Sequence, residues 1–270
     1  MTTTLGTLDQ RLRQKEMNDN LKRLGQKYLV ISGKGGVGKT TVAVNLAWIK
    51  AKAGYRVGLL DIDLHGPDLA WALYLSEAKV TVDEKNRLVP VKAMDNLWVL
   101  TVQNLLERKE EALMWRGPRK MRAIIQFIGE TAWPDLDYFF IDSPPGTGDE
   151  TLTVLRNIPD VKALVVSTGH PMAISDVAKS IDCLKTCGAE VKGLIDNLSS
   201  LICPECGQET PLYGLGGAQE LAATTGIPFL TSLPMDPVAS ITAEKAKLPL
   251  FEACPLSPLS IKLKQLADQL

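Results

Sequence analysis

Residues 32–41 read Ser32-Gly33-Lys34-Gly35-Gly36-Val37-Gly38-Lys39-Thr40-Thr41, and this stretch decides the fold. From Gly33 to Thr40 it matches the spacing G-x-x-x-x-G-K-[ST] of a phosphate-cradling loop. The apolar run KYLVIS (27–32) precedes it and a helical pattern over 38–53 follows, giving the strand–loop–helix context that makes the match meaningful. Glycines let backbone N–H groups turn inward on β- and γ-phosphates, and the helix N-terminus adds its positive end. Lys39 is then the cation for the phosphates, and the Thr40 hydroxyl is a ligand for Mg²⁺. One lysine suffices for that task, so Lys34 is surplus.

Working outward, short and nearly continuous apolar runs recur at 27–32, 56–63, 97–102, 138–142, 162–168, 190–196 and 227–233. Such runs suit strands covered on both faces. Helical patterns at 38–53, 119–130, 172–187 and 216–225 alternate with them. The expectation is an α/β fold: a mainly parallel phosphate-loop NTPase sheet flanked by helices on both faces. No linker is long enough to separate two domains, so residues 27–270 read as one domain behind a polar, partly helical arm at 1–26. The proline-rich segment 228–258 reads as turns closing the fold, and the tail LSPLSIKLKQLADQL as a packed terminal helix.

The 30 Lys and Arg against 31 Asp and Glu leave a net charge of −1, with no general attraction to nucleic acid or anionic lipid. No apolar run approaches the ~18 residues needed to span a bilayer. The start of the chain has no apolar core of the secretory kind, and its 5 cysteines do not suggest a disulfide framework, so reduced thiols and a cytoplasmic location are expected.

Two acidic stretches fit around the glycine loop. LLDIDLHGPD puts Asp61 and Asp63 at the end of the second strand, on the edge where open α/β sheets bind ligands. YFFIDSPPGTGD ends a buried strand at Asp142, the position of a carboxylate that contacts Mg²⁺, and continues into a glycine loop able to sense a γ-phosphate. No N-K-x-D guanine-reading motif occurs, which favours adenine. His65 and His170 read as loop or capping residues.

Cys203 and Cys206 form a C-P-x-C-G turn whose spacing aims both sulfurs at one metal. Zinc, an iron–sulfur cluster and a redox dithiol compete here, although CGQETP is a poor helix start for the last. Either metal wants four ligands and the turn supplies two. Cys187 continues the apolar stripe Ile174, Val177, Ile181, Leu184 and reads as core; Cys183 flanks that helix and Cys254 is isolated. The chain carries half a metal site.

GKGGVGKTT resembles the deviant phosphate loop of the MinD/ParA/nitrogenase-iron-protein class, marked by a lysine at the Lys34 position. LLDIDLHGPDL, WRGPRK, LDYFFIDSPPGTGDE, VKGLIDNLSSLICPECG and FLTSLPMDP resemble, in order, the Mrp/ApbC branch of nucleotide-binding iron–sulfur cluster carriers. The resemblance implies a slow ATPase acting as a face-to-face homodimer, with Lys34 reaching the partner subunit's phosphates. It implies ATP held by Gly33, Lys34, Gly35, Gly36, Val37, Gly38, Lys39, Thr40 and Thr41, with Asn197 facing the adenine. Lys34, Lys39 and Asp63 would be catalytic, Asp63 by orienting the attacking water. Thr40, Asp61 and Asp142 would support Mg²⁺. Cys203 and Cys206 of both subunits would hold one [4Fe–4S] cluster for delivery to apo-proteins, with no nucleic-acid or membrane partner. The chain departs from that family's usual pattern at Thr40 (commonly Ser), at His65 (commonly aromatic) and in STGHP. The alternatives are a MinD/ParA-like positioning ATPase, and a structural zinc at the C-x-x-C.

Overall fold

The computed structural model describes residues 15, 17–106, 115, 117–214 and 216–270. Most of the N-terminal arm (1–14 and 16) and Arg116 of the WRGPRK motif lie outside the described residues. The strands are β1 (Gln26–Ser32), β2 (Val57–Asp61), β3 (Thr81–Val82), β4 (Leu88–Val89), β5 (Val91–Met94), β6 (Leu97–Leu100), β7 (Tyr138–Asp142), β8 (Lys162–Ser167), β9 (Glu190–Ile202), β10 (Glu209–Pro211) and β11 (Phe229–Met235). The helices are α1 (Lys39–Lys52), α2 (Leu69–Ala72), α3 (Gly117–Gly129), α4 (Asp149–Asn157), α5 (Pro171–Thr186), α6 (Gly217–Thr225), α7 (Pro237–Ala246), α8 (Leu250–Ala253) and α9 (Pro258–Asp268).

Among the described residues, nine strands form one sheet in the order β10-β9-β8-β1-β7-β2-β6-β5, with β11 also paired to β9. Its pairings are parallel except where β5 meets β6 and β10 meets β9. Every residue of β2 and β7 is buried, because each strand has helices on both faces. Leu29, Ile31, Leu60, Phe139, Ile141 and Val165 pack on one side with Ile124, Phe127, Val154, Val177 and Leu221 of α3 to α6. The alternate residues Tyr28, Val30, Leu59, Phe140 and Leu164 pack on the other with Val42 and Leu46 of α1 and Leu263 and Leu266 of α9. Period-two alternation along each strand thus divides one apolar run between two cores.

Residues 17–23 are helical, with Met17 and Leu24 buried. The Asn20 Nδ2 donates to the carbonyls of Gly129 at 2.6 Å and Thr131 at 3.0 Å, tying this segment to the end of α3.

The proline-rich segment 228–258 is not a set of turns: it holds β11, α7 and α8 and leads into α9. Pro237 and Pro258 each open a helix, where a missing N–H is harmless and the fixed φ is already helical. Asp236 and Ser257 cap those helices by accepting from the backbone N–H groups of Ala239 and Ser260. Cys187 is exposed rather than core: α5 ends one residue earlier, and Cys187 is its C-cap, past the last buried residue of the stripe, Leu184. Strand β9 continues six residues past the apolar run at 190–196, through the polar NLSSLI. Pairing with β11 on 194–201 and with β10 on 200–202 sustains it there.

Within β9, Asp196 pairs in register with Ser167 and Ser232, and its buried Oδ1 finds no hydrogen-bond partner among the described residues. Burial pushes its pKa up to about 6. Its unfolded value is near ~3.9, so the stability linked to the protonated form is present below that value and lost as pH rises through the folded pKa. Asp196→Asn is therefore expected to raise Tm at pH 8, by roughly 2–4 °C, and to give no gain at pH 4. Thermal melts at the two pH values test this; an equal shift at both would remove Asp196 ionisation as the cause.

Candidate nucleotide and thiolate site

The carboxyl ends of the parallel strands bring the glycine loop and the acidic stretches together. Gly38 is the N-cap of the 14-residue α1, with φ +83° and no capping side chain, so the first-turn N–H groups point at the loop's concavity. A side chain at Gly38 would also collide with the Asn197 amide, whose Nδ2 would lie 2.2 Å from the added Cβ. Gly33 has a reason beyond phosphate access. A Cβ there would sit 2.4 Å from the backbone nitrogen of Val177, so the loop's first glycine lets it pack directly on α5.

Lys39 is buried, and its Nζ bonds Asp142 Oδ1 at 2.6 Å, while Thr40 Oγ1 donates to Asp142 Oδ2 at 2.6 Å. Asp61 pairs with Asp142 across β2 and β7, and its carboxylate accepts from the Asp63 N–H at 2.9 Å and the Thr101 hydroxyl at 3.2 Å. Burial, then the neighbouring Asp142, holds the Asp61 carboxyl well above the usual range. Burial raises Asp142 too, with Lys39 and Thr40 opposing it. Two buried carboxylates against one lysine leave a deficit of positive charge, and the donors are hard oxygens of the kind Mg²⁺ takes. No group of three or more His, Cys, Asp or Glu among the described residues could enclose an ion.

The Asp63 Oδ1 accepts from the backbone N–H groups of His65 (3.3 Å) and Gly66 (3.1 Å), so this carboxylate is turned in on its own loop. Lys34, Gly35, Gly36 and Thr41 are exposed and Val37 is buried. Asn197 is buried, and its Nδ2 donates to the Val37 carbonyl at 2.8 Å, fastening β9 to the glycine loop. His170 caps α5, its Nδ1 accepting from the Met172 N–H at 3.2 Å.

The same strand β9 carries Cys203 one residue past its end. β9 and β10 form a hairpin whose tip is the C-P-x-C turn, closed by Cys203 N–H to the Gln208 carbonyl and Gly207 N–H to the Cys203 carbonyl, both 2.9 Å. The Cys203 sulfur accepts from the backbone N–H groups of Cys206 and then Glu205, which holds its pKa below the usual thiol value. N–H groups aimed at sulfur stabilise a thiolate, the form that binds metal. Cys206 is exposed and Cys203 partly so. Lys262 of α9 lies 3.7 Å from Glu209, which also accepts from the Ser200 hydroxyl, so the hairpin base is braced by the C-terminal helix. Sequence reasoning missed that brace and the Asn197 fastening, since neither contact follows from local spacing.

Comparison with known proteins identifies the family of the chain. The protein-family model described as ParA, NUBPL iron-transfer P-loop NTPase, matches residues 23–270. A cytosolic Fe-S cluster assembly factor NUBP2 homolog of Culex quinquefasciatus is 39% identical over 259 residues, covering 94% of this chain and 99% of that one. An iron-sulfur cluster carrier protein of Methanocaldococcus jannaschii is 36% identical over 231 residues, covering 85% and 79%. Among solved structures, a nucleotide-binding protein of Archaeoglobus fulgidus in complex with ADP superposes with a TM-score of 0.73 at 33% identity, over 93% and 92% of the two chains. The cell division ATPase MinD of Pyrococcus furiosus gives a TM-score of 0.64 at 22% identity over 91% and 98%, a likeness of fold alone. With its phosphate loop, paired strand-end carboxylates and match over nearly the whole chain, the protein belongs to the ParA/NUBPL family of iron-transfer P-loop NTPases.

Proposed function

We propose that this chain is a cytoplasmic ATPase that carries a [4Fe–4S] cluster at a homodimer interface and hands it to apo-proteins. The observation that carries the reading is the half-site: a thiol pair with one member exposed and the other partly so, the latter biased toward thiolate, on the tip of a hairpin whose own strand is bonded to the phosphate loop. The cluster is cargo. Four thiolates hold such a cube, and a two-fold axis doubles the pair to four.

In this reading Gly33 to Thr41 cradle Mg-ATP, and Asn197 lies at the nucleotide's edge. Lys39 exchanges its Asp142 contact for phosphate oxygens, and Thr40, Asp142 and Asp61 hold the Mg²⁺ shell. Lys34, exposed on the loop, reaches the phosphates of the second copy. Asp63 orients the attacking water once its loop opens. The α9 helix buries Leu259, Leu263, Leu266 and Ala267 against the sheet, which disfavours a membrane-positioning role that would need that face free.

Anaerobic reconstitution with iron and sulfide tests the proposal. It should give a brown protein with about two iron atoms per chain, able to activate an apo [4Fe–4S] enzyme. Four irons per monomer would overturn the shared site, and stoichiometric zinc without iron would establish the structural-zinc alternative. Asp63→Ala should bind ATP with near-normal affinity yet lose at least ~10-fold in kcat, because a water-positioning carboxylate acts mainly in the transition state. A wild-type steady-state rate would take Asp63 out of the catalytic set.

A further inference from the structure

Lys120 lies where the two carboxylate loops meet, and no step proposed above uses it. It sits in the first turn of α3 and donates to Glu150 Oε1 at 2.8 Å and to His65 Nε2. The ion pair is largely out of solvent, its side chains 14% and 9% exposed. Glu150 opens α4, directly after the glycine loop that follows Asp142; His65 lies two residues beyond Asp63. Since β2 and β7 are neighbours with Asp61 opposite Asp142, the two loops leave the sheet side by side. Gly117, in the same turn as Lys120, is packed so closely on α4 that an added Cβ would lie 3.3 Å from Asp149 Oδ2.

An ammonium shared between two loops makes their positions interdependent, because moving either one leaves a buried charge short of a partner. For Glu150, burial raises the carboxyl, and the bond and charge of Lys120 together with Glu150's own backbone N–H outweigh it, holding the carboxyl below its usual range. The loop carrying Asp63 and the loop after Asp142 must face one Mg-nucleotide, and displacements near 1 Å in such groups cost about 100-fold in rate.

We propose that Lys120 is a positioning residue, clamping the Asp63 loop through His65 to the loop after Asp142 through Glu150, so that the two respond to nucleotide as one body. The rate arm of the test rests on the ATPase reading; the clamp itself does not.

Hydrogen exchange on the full-length, nucleotide-free chain tests the clamp directly. Lys120→Met should speed exchange at 63–68 and at 146–151 together, by at least ~10-fold, with β1 and β7 unchanged. His65→Phe should speed it at 63–68 alone. In turnover assays Lys120→Met should lower kcat by about 10-fold or more with KM for ATP within about threefold, and Lys120→Arg should recover much of the rate. Unchanged exchange in both loops, a response in only one of them with Lys120→Met, or a wild-type kcat for that variant would each overturn the clamp. If Lys120→Met does not fold, His65→Phe decides: faster exchange confined to 63–68 supports the clamp and no change overturns it. Absence of any ATP turnover in the wild type would instead overturn the ATPase reading, with the exchange result still deciding the clamp.

Discussion

Cys203→Ala is expected to lose the cluster outright: no brown chromophore, iron near zero after anaerobic reconstitution, and no cluster-dependent dimer on size exclusion. Backbone N–H groups of Cys206 and Glu205 bias the Cys203 thiol toward thiolate, the form that binds metal, so its removal takes one ligand from each subunit of the proposed site. In a two-fold site each substitution counts twice and leaves two thiolates for a cube that needs four. Cys206→Ala should behave alike. Cys187→Ala and Cys254→Ala should keep a wild-type spectrum. The hairpin's own closure runs through backbone groups and the Glu209–Lys262 pair, so the alanine variants should fold and still bind nucleotide. A Cys203→Ala protein that retains its chromophore and iron would end the shared-site proposal.

Lys39→Ala should raise the Kd for Mg-ATP by about 100-fold or more, while Lys34→Ala should change it by no more than about threefold and still abolish hydrolysis. The two lysines share one loop but not one environment. Lys39 is buried against Asp142, so its loss removes the phosphates' main cation and strands a buried carboxylate beside Asp61. Lys34 is exposed, and in the proposed dimer it acts on the second copy's nucleotide rather than its own. Titration calorimetry with Mg-ATP, paired with steady-state turnover, separates the two. An equal loss of affinity in both variants would refute the assignment of Lys34 to the partner's site.

The fold was legible because its signals are local. The strand–glycine loop–helix unit around Lys39 and the mostly apolar runs of β2 and β7, each ending in an aspartate, depend on spacing alone, and both stand in the structure. The helix starts at Pro237 and Pro258 were hidden because proline marks a turn and a first helical position equally well. The extension of β9 through NLSSLI was hidden because polar residues there owe their strand conformation to β10 and β11, which are distant in sequence.

The candidate site divides in the same way. The glycine loop with its two lysines, and the sharing of one turn by two thiols, follow from motif spacing. Three further features needed the folded chain: the closure of Lys39 and Thr40 on Asp142, the bond from Asn197 to the Val37 carbonyl, and the Lys120 bridge from His65 to Glu150. Each joins groups 30 or more residues apart, on strands and loops brought together only by the parallel crossovers of the sheet. Residue type and neighbour spacing encode local geometry and chemistry, but partners from separate elements are chosen by packing, which no single stretch of chain contains.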